Sequence, residues 1–213
     1  MNNKFLLRCG IFSSLLYIAM NAFIPLLDSN YRVASQTVSE LSAVDASTRN
    51  IWVWLAMLYT LLMGAFGWGI IKASEGNRFI RMAGILVIAH AVVDLGWPFA
   101  PMHLREVLAA GGSTFSDTMH LVIAGITVVL MIGIISFGAA AMGMRFRIYS
   151  VITLLLLAGF GLLTGLEAPA VEKNLPAPWV GIWERINIGV FMIWVIVFAI
   201  ALSARQKKTT RKP

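Results

Sequence analysis

Charge, histidine and cysteine are all scarce in this chain. Only 13% of its 213 residues are charged and 59% are hydrophobic, whereas a soluble domain carries about 25% charged residues. A soluble fold of this size has too little interior to bury that much apolar side chain, so lipid must solvate much of the surface. Cys9 is the single cysteine, which excludes an intrachain disulfide and a cysteine-rich metal site. Acid is scarcer than base, at 10 residues against 17. The resulting excess of +7 does not indicate a nucleic-acid partner, because it sits in short connections and a tail where membrane topology explains it. There is no Gly-x-Ser-x-Gly elbow, no Gly-rich phosphate loop and no internal repeat of the kind that transporters use.

What the sequence does have is a series of apolar runs near 20 residues, each long enough to cross a bilayer. They predict an all-α transmembrane bundle of six helices, near residues 5–27, 51–73, 80–98, 117–142, 148–166 and 184–204. The first run follows Lys4 and Arg8 like a signal peptide, but its length, Pro25 and the lack of a small-x-small site make it a retained helix. With the N-terminus in the cytoplasm, 12 of the 17 basic residues fall on the cytoplasmic side and the bias alternates at every connection. The C-terminus then also lies inside, and the basic tail 205–213 meets anionic inner-leaflet lipid. Nine of the ten acids fall on the external side or in outer helix halves, Glu75 being the exception. External connections are also the longer ones, where function usually sits.

Ionisable groups inside a span are costly and mark candidate sites. His90 and Asp94 lie four apart on one face of the third span, with Trp97 a turn further out, and Asp117 and His120 open the fourth. At 1.5 Å per residue, Asp94 and His120 both lie about 6 Å deep, so the antiparallel pair can bring them together. His103, Arg105 and Glu106 occupy the intervening loop. Asp94, His103, Asp117 and His120 therefore form a candidate pool for a divalent metal such as zinc, whose bound water would serve hydrolysis. The structural alternatives are a Thr114–Asp117 capping box, a His120–Asp94 bracing bond and a His90–Asp94 packing pair. Thr37 and Glu40 form a second capping box and announce a short external helix. Within it, Ser39, Glu40 and Ser42 are candidates for a pocket wall, with Glu40 an acid/base candidate beside Asp94 and His120. Glu184 suits a helix start by dipole, whereas Arg185 there needs a partner such as Glu40, Asp94 or a lipid phosphate. Arg185, Glu184, Trp97 and His90 are the candidate ligand contacts.

Four segments carry a resemblance: Thr-Val-Ser-Glu-Leu-Ser-Ala (37–43), Asp-Leu-Gly-Trp-Pro-Phe-Ala-Pro-Met-His (94–103), Ser-Asp-Thr-Met-His (116–120) and Trp-Glu-Arg-Ile-Asn (183–187). Together they resemble the DUF998 family of small multi-pass prokaryotic membrane proteins. The resemblance implies a six-helix membrane fold and no particular activity. The residues themselves suggest an outward-facing polar pocket between the third, fourth and sixth spans, covered by residues 37–46. A metal-dependent or lipid-modifying enzyme would use it, as would a non-catalytic protein that binds a lipid or a partner. A small proton-linked transporter built on His90 and Asp94 is a further alternative.

Overall fold

The computed structural model describes residues 3–209, with side chains up to Gln206, so residues 210–213 of the basic tail lie outside the described residues. Among the described residues, six helices are long and apolar enough to cross a membrane. They are α1 (Asn3–Phe23, continued by a 3-10 turn Ile24–Leu27), α2 (Arg49–Lys72), α3 (Arg78–Asp94), α5 (Phe115–Ala141), α6 (Met144–Glu172) and α7 (Val180–Thr209). A short helix α4 (Arg105–Ala109) and 3-10 turns at Val38–Ser42 and Trp97–Phe99 lie in the connections. The protein is thus an all-α multi-pass membrane protein, as its composition predicts.

The long helices form a ring. α1 packs between α7 and α2, α2 against α3, α3 against α5, and α6 against α7, while α5 and α6 close the circle only loosely. Large side chains fill the ring towards the end with short connections: Phe66, Ile70, Ile134, Trp194 and Phe198 are all fully buried. Trp194 satisfies its indole N–H on the Ser150 hydroxyl at 2.9 Å. Small residues let the backbones meet, as they must where lipid supplies no hydrophobic drive between helices. A Cβ on Gly67 would sit 3.0 Å from the Gly84 carbonyl, and one on Gly84 would sit 2.9 Å from the Gly67 carbonyl.

The end with long connections is built differently. Residues 28–48 fold back over the ring as a lid, with Val38 and Leu41 packed on Met20, Ile24 and Trp52. The 3-10 turn at Val38–Ser42 carries the predicted Thr37–Glu40 capping box in both directions. The last long connection is shorter than the sequence suggests. α6 runs six residues beyond Leu166, through Pro169, and α7 begins four residues before Glu184. Pro169 has no N–H to donate to the Gly165 carbonyl, but the Glu- and Ala-containing stretch around it favours continued helix. The turn closes with Asn174 in left-handed geometry (φ 50) and a bond from the Leu175 amide to the Ala170 carbonyl at 2.7 Å.

Candidate functional site

Beneath the lid lies a cavity of about 260 Å3 to which all six long helices contribute. It runs along α5 from His120 to Met131, which at 1.5 Å per residue is about 16 Å, roughly half the hydrocarbon thickness. Its wall is mostly apolar. The polar groups nearest the lid are Ser39, Ser42, Arg49, Asp94, His120 and Glu184, and His90 and Thr127 stand among the apolar side chains. Ser39, Ser42, His90, Asp94, Trp97, His120 and Glu184 thus share one cavity, whereas Glu40, His103, Asp117 and Arg185 do not line it.

The lid is held by buried charge. Glu40 receives both arms of Arg105, Nε to Oε1 at 2.7 Å and Nη2 to Oε2 at 2.8 Å, and also accepts the Thr37 amide at 2.7 Å. The hydrogen bonds that Arg105 donates to Glu40 raise the guanidinium's affinity for its proton, against the opposing effect of burial. With its oxygens engaged this way, Glu40 serves as an anchor behind the cavity wall. Arg185 makes its hydrogen bonds to neither Glu40 nor Asp94. Its guanidinium bonds the Val33, Gln36 and Gly181 carbonyls and donates to the Tyr31 hydroxyl at 2.7 Å. Tyr31 in turn donates towards Thr37 and Gln36 carbonyls, and burial pushes its pKa up, so it stays a phenol. Glu184 accepts the Val38 amide at 2.6 Å and reaches the Ser39 hydroxyl as well.

Within the cavity, hydrogen bonds fix the state of His120. Its Nδ1 lies 2.9 Å from the Ala100 carbonyl, which only accepts, so Nδ1 carries a proton. In the neutral ring Nε2 is then an acceptor, and the Ser39 hydroxyl stands 3.0 Å from it. Trp97 joins the two predicted partners instead of letting them touch. Its ring meets His120 edge-on at 4.7 Å and its Nε1 donates to Asp94 Oδ1 at 3.3 Å. His90 Nδ1 lies 2.9 Å from Asp94 Oδ2, close enough for an ion pair but out of line for a hydrogen bond. The imidazole stacks on Phe191 at 5.6 Å. Both ring nitrogens of His90, Asp94 Oδ2 and Thr127 Oγ1 are buried with no hydrogen-bond partner in the protein.

The expected metal pool separates. Asp117 caps α5 through Thr114 and accepts both the His103 amide at 2.7 Å and His103 Nδ1 at 2.9 Å. Asp94 and His120 belong to the cavity instead. Among the described residues no three His, Cys, Asp or Glu side chains gather as a metal-holding group. The reason is local: Thr114 and the loop amides satisfy Asp117 before it can turn inward.

A family model described as "Protein of unknown function (DUF998)" matches residues 11–201. The chain belongs to the DUF998 family. No curated protein and no solved structure matches it. The match runs from α1 to α7 and takes in the lid and every cavity-lining residue of this DUF998 protein. Sequence patterning missed several of those residues. Tyr17, Tyr59, Thr127 and Asn187 are single polar groups in apolar helices, and Arg49 reads as a helix-start charge. Only the ring arrangement turns them to one centre. Asn187 spends its amide on the Leu157 carbonyl at 2.5 Å, and Arg49 bonds the Ser42 and Pro98 carbonyls, fastening lid to α2.

Proposed function

We propose that this DUF998 protein binds a small amphiphile, a lipid or lipid-derived molecule, in the cavity under its lid, with the lid on the external side of the membrane. The observation that carries this reading is a mostly apolar cavity bordered by two buried polar atoms with no partner in the protein, His90 Nε2 and Thr127 Oγ1, beside the His90–Asp94 ion pair. Each such atom costs about 1–3 kcal/mol when unsatisfied, so the site favours an occupant with both polar groups and hydrocarbon. Asp94 and Glu184 outnumber Arg49 among the Asp, Glu, Lys and Arg side chains of the wall. That balance favours an occupant with hydrogen-bond donors or a cationic group over an anionic one. The cavity also fits the usual form of a ligand site, apolar walls with a few convergent polar groups. Transport is the weaker reading, because Phe66, Ile134, Trp194 and Phe198 pack the other end of the ring without exposed surface.

The test is solvent extraction of protein purified in detergent, followed by mass spectrometry of what it retained. Near-stoichiometric amphiphile is expected in the wild type and a several-fold loss in Ala124→Trp, which fills the cavity from α5. An equal yield from both proteins, or no retained amphiphile in a folded wild type, would overturn the reading.

A further inference from the structure

Ser39 is the one nucleophile-type side chain of the lid that meets a histidine in the cavity. Three relations define a nucleophile–base pair: nucleophile within hydrogen-bond reach of the base, the base oriented by a third group, and open space beside both. All three are present. Ser39 Oγ lies 3.0 Å from His120 Nε2, the Ala100 carbonyl holds Nδ1–H at 2.9 Å, and both side chains line the cavity. Trp97 packs edge-on against the imidazole and limits its rotation. A structural latch would need only the Ser39–His120 bond; it would not need the bond to stand at the open wall, with the ring tautomer set for proton acceptance.

We propose that Ser39 and His120 are a nucleophile and general base for hydrolysis of a carboxylic ester carried by the amphiphile. The proposal rests on the cavity being an amphiphile site. Ser39 Oγ bonds to the ester carbonyl carbon as its proton passes to His120 Nε2. The tetrahedral adduct breaks its bond to the alcohol oxygen, and the alcohol leaves with the proton from His120. Water then gives a proton to His120 Nε2 and its oxygen to the acyl carbon. The carboxylic acid departs as that proton returns to Ser39 Oγ. Ester and water become acid and alcohol, and the protein is regenerated. Arg49, the one Lys or Arg side chain in the described wall, gives N–H donors to the Ser42 and Pro98 carbonyls, and its charge and remaining donors would favour the negative charge that develops on the carbonyl oxygen.

The probe is dodecyl fluorophosphonate, applied to the full chain in detergent micelles. Ser39 Oγ attacks phosphorus and fluoride leaves, so labelling is read as an intact-mass gain mapped by peptide sequencing. An adduct on Ser39 in the wild type is expected, needing no variant to interpret. His120→Gln keeps a polar side chain of similar reach but no base, and should slow labelling by about 100-fold or more. Ser39→Cys should retain a covalent site, formed with p-nitrophenyl dodecanoate as a thioester. Protein that retains amphiphile yet carries no adduct on Ser39 overturns the pair and leaves the binding reading standing. Labelling of Ser39 at an unchanged rate in folded His120→Gln overturns the role of the base. Protein that neither retains amphiphile nor labels overturns both readings.

Discussion

Thr127 and Glu40 show two ways in which a polar residue is buried in this protein. Glu40 is satisfied on both oxygens, by Arg105, Thr37 and, at 3.3 Å, Gln36. Arg105→Met would leave that carboxylate buried without its cation, a loss of about 3–5 kcal/mol. Thermal unfolding of the purified protein should show the drop, and the double variant with Glu40→Gln should recover part of it. Equal melting temperatures for the Arg105→Met single and double variants would mean the ion pair is not the source. Thr127 Oγ1 has no protein partner. Thr127→Val should therefore raise the stability of amphiphile-free protein by up to about 1 kcal/mol while reducing the amphiphile retained. A fall in stability would show the hydroxyl to be structural. At this scale, the two capping boxes were legible because both partners lie three residues apart. The true partners of Arg185 were not, since backbone carbonyls 149 and 152 positions away leave no mark in a sequence.

Elements explain how the lid is aimed. α7 starts at Val180, one turn earlier than hydropathy suggests, and that turn is where the lid docks. Gly181 donates its amide to Ala34 at 2.9 Å, and a Cβ there would collide with the Val33 and Gln36 carbonyls. Gly181→Ala should cost about 1–3 kcal/mol by overpacking, and the strain should appear first in the lid. Hydrogen exchange at the amides of residues 31–42 is the measurement. Faster exchange there than in α2 and α3 is expected, whereas a uniform change across the molecule would show that Gly181 serves the bundle and not the lid. The late end of α6 had a weak signal in the sequence. Pro169 argues for a stop, yet the helix continues past Gly165, whose added Cβ would meet nothing within 4 Å. Gly161, one turn earlier, is the glycine that lies against a neighbouring helix, where an added Cβ would sit 3.0 Å from the Asn187 amide nitrogen.

The whole molecule reads most directly from its sequence. Each span is selected by the bilayer for length and apolarity, a property of a single segment, so six runs yield six helices. Their circular order and the cavity at its centre depend on pairwise packing and are not segment properties. Orientation is again a property of segments. The antiparallel spans put the lid and α4 at one end and the Lys72–Arg78 and Ala141–Met144 turns at the other. The basic residues gather at the second end, which predicts that it is cytoplasmic. In a Cys9→Ala background, Ser113→Cys and Glu75→Cys place one exposed thiol at each end. A membrane-impermeant maleimide added to intact cells should label residue 113 and leave residue 75 unlabelled until the membrane is opened. The reverse pattern would put the cavity mouth in the cytoplasm. An external source for the amphiphile would then be wrong, although the chemistry of Ser39 and His120 would be unaffected.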